Sequence, residues 1–276
     1  MTVAGAGYVL RREGRDRDMG KALVTGGARR LGRAMALHLA ARGHDVAIHY
    51  DRSEAEAQAV AAEIRAMERR AAVLQADLLD EAAMADLVPR AAGALEGPLT
   101  VLVNNASIFE YDTLATATKT GWDRHIGSNL RAPFVLTQAF AAQAAPAGTE
   151  GGEPVATGLV VNMIDQRVLK PTPEFMTYTI AKMALWAFTR TAAQALAPAI
   201  RVNAIGPGPT MQGARQTAPH FARQRQATIL QRGADPDDIC AALSYFLDAR
   251  AVTGQLLCID GGQHLAWQTA DILGVE

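Results

Sequence analysis

The chain has 276 residues, a formal net charge of −1, 20% charged and 49% hydrophobic residues. That apolar fraction supports a sizeable core, and so small a net charge gives no electrostatic footprint for nucleic acid. No apolar run reaches transmembrane length, so no membrane partner is expected; Cys240 and Cys258 lack metal-ligand spacing and read as reduced thiols of a cytoplasmic protein.

Residues 1–18 contain the mixed-charge run Arg11-Arg12-Glu13-Gly14-Arg15-Asp16-Arg17-Asp18 with no apolar core behind it, unlike a targeting signal. They are expected to form a mobile tail, with Met19 as an alternative start. From Lys21 onward, strand-like and helix-like segments alternate. Strands are predicted at 21–25, 46–50, 72–76, 100–104, 158–163, 200–205 and 256–260. Helices are predicted near 30–42, 53–69, 80–94, 119–145, 176–197 and 235–248. The strands are short and rich in Val, Ile and Leu, as strands covered on both faces are. The pattern predicts one α/β domain over 19–276, a doubly wound parallel β-sheet of about seven strands with helices on both faces. Ser53 followed by Glu56 predicts a capping box. Residues 147–154 read as a loop, and 209–233 carry little readable pattern.

Three motifs suggest chemistry. Thr25-Gly26-Gly27-Ala28-Arg29-Arg30-Leu31-Gly32 places a glycine-rich turn between the first strand and helix, where backbone N–H groups can meet a pyrophosphate in a Rossmann-type fold. Gly26 permits the turn and Gly32 close helix packing, although Arg30 occupies the place of a middle glycine. Asn104-Asn105-Ala106 follows the fourth strand, where a carboxamide can tie strands together. Tyr178 and Lys182 are four residues apart and share a helix face. An ammonium there is expected to lower the phenol's pKa, making Tyr178 a proton donor for carbonyl or imine reduction. Asp165 stands thirteen residues upstream.

These motifs, with Asp77, Asn129, Asn203, Gly206-Pro207-Gly208 and Ile259-Asp260-Gly261-Gly262, resemble the short-chain dehydrogenase/reductase family over nearly all of 19–265. The family's Asn–Ser–Tyr–Lys tetrad falls on Asn129, Asp165, Tyr178 and Lys182, so an aspartate replaces the serine. That departure, together with Arg30, His49-Tyr50-Asp51-Arg52-Ser53, Ser107 with Phe109, and His125-Ile126-Gly127-Ser128-Asn129, resembles the pteridine and dihydromonapterin reductases. The resemblance implies cofactor contacts at Gly26, Arg30, Leu31, His49, Tyr50, Arg52, Ser53, Asp77, Leu78, Asn105, Ala106, Ser107, Tyr178, Lys182 and Gly208. It implies substrate contacts at Arg30, Ser107, Phe109, Asp165 and Tyr178, with Asn129 holding a water relay and Asp165 orienting substrate or Tyr178. A flat heteroaromatic suits the face of Phe109, and a carboxylate accepts from an amino-pyrimidine edge. Gln166, Arg167, Met211 and Trp267 are further candidates for the substrate wall.

The cofactor expected is NADPH. Arg52 and Ser53, past the second strand, suit a 2′-phosphate, with Asp51 as a counter-signal. The expected reaction is hydride transfer to a pterin-type C=N bond; the alternatives are a carbonyl reductase acting on a 3-oxoacyl thioester or other ketone, and a non-catalytic NADP-binding regulator. The resemblance also implies a homotetramer, consistent with apolar residues on several faces of 183–197. The segment 263–276, with Trp267 as anchor, is expected to pack at a subunit interface and close a substrate pocket.

Overall fold

The computed structural model describes residues 20–213 and 215–267; the expected N-terminal tail and most of the C-terminal segment lie outside the described residues. In chain order the elements are β1 (Lys21–Val24), α1 (Arg30–Ala41), β2 (Asp45–Tyr50), α2 (Glu54–Ala66), β3 (Ala71–Gln75), α3 (Glu81–Ala94), β4 (Val101–Asn104) and α4 (Lys119–Ile126). A π-helical turn (Gly127–Arg131) leads into α5 (Ala132–Gln143), and then come β5 (Gly148–Glu150), β6 (Glu153–Val155), β7 (Gly158–Met163) and a 3₁₀ turn (Gln166–Val168). The remainder is α6 (Met176–Leu196), β8 (Ile200–Pro207), α7 (Ala218–Gln226), α8 (Pro236–Asp248), β9 (Leu256–Ile259) and a 3₁₀ turn (Gln263–Leu265).

Seven strands pair in parallel in the order β3-β2-β1-β4-β7-β8-β9. Successive side chains on a strand point to opposite faces, and each face builds its own core. Ala22, Val24, Val46, Ile48, Val101 and Val103 join Met35 and Leu39 of α1, Ile64 of α2 and Phe246 of α8. Leu23, Ala47, Leu102 and Val160 join Leu87 of α3, Phe140 of α5 and Ala192 of α6. Burial on both faces is why the strand sequences are continuous apolar runs. The order reverses between β1 and β4, and a crevice opens there at the carboxyl ends.

Four local expectations are corrected. The helix expected over 119–145 is interrupted by the π turn, which carries Asn129; Pro133 has no N–H for the carbonyl four residues back, which favours a shifted ladder. Residues 148–155 form an antiparallel hairpin, because Gly151 and Gly152 at its tip adopt positive φ. Ser53 makes no side-chain cap bond to α2, and Glu56 turns instead towards Arg29, 3.7 Å away. Residues 218–226, unreadable in sequence, form α7, started by Thr217 accepting from the His220 N–H.

Candidate active site

At the end of β1 the Thr25 hydroxyl accepts from the N–H groups of Asn105 (2.8 Å) and Ala106 (2.9 Å), while Asn105 Nδ2 donates to Thr25 O at 2.8 Å. The turn is glycine-dependent. Gly26 has φ +60°, and a Cβ on Gly32 would lie 2.1 Å from Gly26 O. His49 Nδ1 accepts from Gly26 N–H (3.1 Å) and its Nε2–H donates to Ala76 O (3.0 Å). The buried imidazole therefore clamps the ends of β1, β2 and β3, and burial lowers its pKa, holding it neutral.

These strand ends line a cleft of about 620 Å³ whose walls include Gly26, Arg30, Leu31, His49, Tyr50, Arg52, Ser53, Asp77, Asn105, Ala106, Ser107 and Gly208. Of the expected cofactor residues, Leu78, Tyr178 and Lys182 are not walls of this cleft: Leu78 is buried in the core with Leu79 lining in its place, and Tyr178 and Lys182 are buried beyond Ser107. Arg29, Arg124 and Thr210 are walls that sequence reasoning passed over. Arg29 and Arg52 both expose their guanidinium groups, and α1 begins without a side-chain cap, leaving its first N–H groups for a ligand.

Beyond Ser107, the Tyr178 hydroxyl donates to Asp165 Oδ2 at 2.9 Å, and Asp165 Oδ1 accepts from Arg167 N–H at 2.8 Å. Lys182 Nζ donates to Met163 O at 2.8 Å and lies 5.7 Å from the centre of the Tyr178 ring. Burial, then the Asp165 charge, hold the Tyr178 phenol well above its ordinary value. This reverses the expected depression. Lys182 faces a backbone carbonyl, and the Asp165 charge outweighs that of Arg167 at Tyr178. Burial also raises the Asp165 carboxyl and lowers Lys182 to about 8. Asn129, expected to hold a water, grips a loop: Oδ1 accepts from Ile108 N–H at 2.9 Å and Nδ2 donates to Ile108 O at 2.8 Å.

Phe109 stacks on Phe175 with centroids 4.3 Å apart and meets Tyr178 edge-on at 4.7 Å. One face of the ring expected to take a pterin is thus covered by Phe175. Arg215 donates to Phe109 O at 2.6 Å, with its guanidinium 5.2 Å from the Phe109 centroid. Arg30 donates to Met211 O (3.0 Å) and Gln212 O (2.8 Å), so it holds the segment after β8 across the cleft mouth. Among the other candidate wall residues, Gln166 is buried, Arg167 lies 5.3 Å from the Phe175 ring, and Trp267 is exposed.

A family model described as short chain dehydrogenase matches residues 20–223. The chain belongs to the short-chain dehydrogenase family. FolM alternative dihydrofolate reductase 1 from Brucella canis, complexed with NADP, matches with a TM-score of 0.84 and 44% identity over 92% of this chain and 97% of that one. Pteridine reductase 1 of Leishmania tarentolae is 32% identical over 282 residues, spanning 88% of this chain and 96% of that protein. A 3-oxoacyl-acyl-carrier-protein reductase, FabG, of Staphylococcus aureus is 29% identical over 249 residues, spanning 88% and 98%.

Within this short-chain dehydrogenase, the fold brings Tyr178 together with Asp165, Lys182 and Phe109, while Ser107 and the arginine-rich turns line the cleft. Sequence reasoning singled out neither Phe175 nor Arg215. Nothing in their local pattern marks them, because Phe175 precedes α6 and Arg215 approaches from 106 residues away.

Proposed function

We propose that this chain reduces a C=N bond of a pterin-type heterocycle, a dihydropterin or dihydrofolate-like compound, with NADPH as reductant. The observation that carries the reading is the buried Asp165 carboxylate held 2.9 Å from the Tyr178 hydroxyl, with Phe109 beside it. A carboxyl group raised by burial can accept from an amino-pyrimidine edge or itself donate. The likeness to the Brucella and Leishmania reductases supports this reading.

The chain is an NADP-dependent short-chain dehydrogenase/reductase, and NADPH, when bound, supplies the hydride. The donor set of the cleft fits it. The uncapped start of α1 and the turn at Gly26 suit the pyrophosphate, and Arg29, Arg52 and Ser53 suit the 2′-phosphate. Asp77 serves the adenine, Asn105 and Ala106 the adenosine ribose, and Tyr178 and Lys182 the nicotinamide ribose. Tyr178 would give its phenolic proton to the substrate nitrogen, next to the carbon that the cofactor's hydride would reduce. Asp165 orients Tyr178 through the hydrogen bond it accepts from the phenol.

Ketone reduction is the second reading, favoured by the FabG similarity and by the fact that Tyr178 and Lys182 serve it equally. A non-catalytic regulator has no use for the Tyr178–Asp165–Lys182 constellation. The active form is proposed to be a homotetramer in the cytoplasm. Exposed Ile180 and Met183 on α6 and Phe134 on α5 support self-association, and among the described residues no helix is long and apolar enough to cross a membrane. Steady-state NADPH oxidation with dihydrobiopterin, dihydrofolate and acetoacetyl thioester tests the reading, repeated on Asp165→Ser. The expected result is preference for the pterins and, in the variant, about a hundredfold loss on pterins alone. Preference for the thioester, or an Asp165→Ser enzyme unimpaired on pterins, overturns it.

A further inference from the structure

The stretch from Asn105 to Thr118, which carries Ser107 and Phe109, contains no helix or strand. Beneath it, three polar side chains from three separate segments meet in the interior: Asp112 of this loop, His125 of α4 and Thr177 of α6 are 7%, 1% and 2% exposed. Helix α6 starts without a cap of its own, because Phe175 at its N-cap has a left-handed φ of 54° and no capping side-chain oxygen. Asp112 supplies the cap from outside. Its carbonyl accepts from Phe175 N–H at 2.8 Å, its Oδ1 from Thr177 N–H at 3.2 Å, and its Oδ2 from the Thr177 hydroxyl. The same hydroxyl accepts from His125 Nδ1–H at 2.7 Å, and His125 Nε2 accepts from Glu110 N–H at 3.1 Å.

Every donor in this chain has one acceptor, and the direction of each bond follows from the next. Thr177 must donate to the carboxylate, so it is free to accept from Nδ1–H; Nε2 is then bare and can accept from Glu110. The network therefore works with a neutral imidazole of one tautomer and a single loop register. An apolar seam could stabilise this junction as well; a fully satisfied polar one also specifies geometry. Thr177 directly precedes Tyr178, and the loop residue tied at Glu110 directly follows Phe109.

We propose that Asp112, Thr177 and His125 form a positioning clamp that locks the Phe109 loop to the first turn of α6, setting where Phe109 stands against Tyr178 and so the shape of the surface that substrate meets. This rests on the reading above of Phe109 and Tyr178 as the substrate-facing pair. It also carries a pH dependence. An imidazolium would set Nε2–H against Glu110 N–H, so the clamp opens as His125 charges. The groups around that ring are Asp112 and Glu110 on the loop, Arg124 on its own helix, and Thr177 and the Tyr178 ring on α6. Burial, aided by Arg124 and opposed by the two acids, holds His125 below its ordinary 6.5, so the clamp is whole above that pH and is lost as pH falls through the lowered value.

The test compares Thr177→Val, which removes the hydroxyl, with Thr177→Ser, which keeps it, in the full-length protein. Three quantities are read: KM and kcat for dihydrobiopterin, the NADPH Kd by fluorescence, and hydrogen exchange of the amides at 108–112. The valine variant is expected to raise KM about tenfold or more, shift the NADPH Kd by less than about twofold, and speed exchange at Glu110, with serine restoring all three. Faster exchange with an unchanged KM overturns the proposal, as does a parallel loss of NADPH binding that serine does not restore. If Thr177→Val does not fold, His125→Gln is judged on the same readouts. If the native enzyme ignores dihydrobiopterin, the reading of its substrate fails, and the KM of its preferred substrate together with the exchange arm still decides the clamp.

Discussion

On the β1–β4 side of the cleft, Thr25, Asn105 and His49 hold the glycine-rich turn by hydrogen bonds of 2.8 to 3.1 Å between strand ends. Across the cleft mouth, the walls are joined to the segment after β8 by exposed side chains reaching over long sequence separations: Arg30 to Gln212 across 182 residues and Arg215 to Phe109 across 106. The first side is sheet backbone under a buried lattice. The second is loop against loop, where opening costs less. A cofactor site of fixed shape and a clamped Phe109 loop thus face a segment after β8 that can adjust over the cleft mouth.

The strongest way to break this contrast is to strike the substrate side alone. Tyr178→Phe is expected to lower kcat about a thousandfold while the NADPH Kd measured by fluorescence stays within about twofold. Turnover at the native rate would remove Tyr178 from its assigned role. Lys182→Met comes next, with about a hundredfold lower kcat. In the native enzyme kcat/KM should fall as pH rises through about 8, the value to which burial lowers Lys182, since the ammonium is lost there. The stability effect has the opposite sign. Between about 8 and the ordinary 10.5 the unfolded chain binds the extra proton, so stability rises with pH across that window and the cost of the buried ammonium is fully present below it. Thermal melts at pH 7 should therefore show Lys182→Met no less stable than the native protein. A lower Tm would mean that the Met163 carbonyl bond outweighs the desolvation. The smallest effect belongs to the cofactor side: the double variant Arg29→Gln, Arg52→Gln should raise KM for NADPH about tenfold and leave that for NADH unchanged. An equal rise for both cofactors would place these guanidinium groups elsewhere than at the 2′-phosphate.

Much of the cofactor side was legible because its determinants are local. Gly26 and Gly32 sit in one turn, and Asn105 follows directly on β4. The substrate side was half legible. Asp165 and Tyr178 were paired by the family resemblance, and the structure joins them by a hydrogen bond, but Asp112 and Thr177 carried no local mark. The misassigned segments have the same origin. Proline at position 133 and glycines at 151 and 152 decide the π turn and the hairpin by the backbone forms they impose or permit, which the apolar pattern around them does not register.

What the sequence determined by itself was periodicity and spacing: seven strands alternating with helices, a glycine turn behind the first, and a tyrosine and lysine on one helix face. These follow from backbone geometry within a few residues. The tertiary structure decided the direction of the Tyr178 pKa, the covering of Phe109 by Phe175, and the turn of Lys182 to a carbonyl. Each depends on burial and charge summed over groups far apart in the chain, a sum that exists only once the chain has folded.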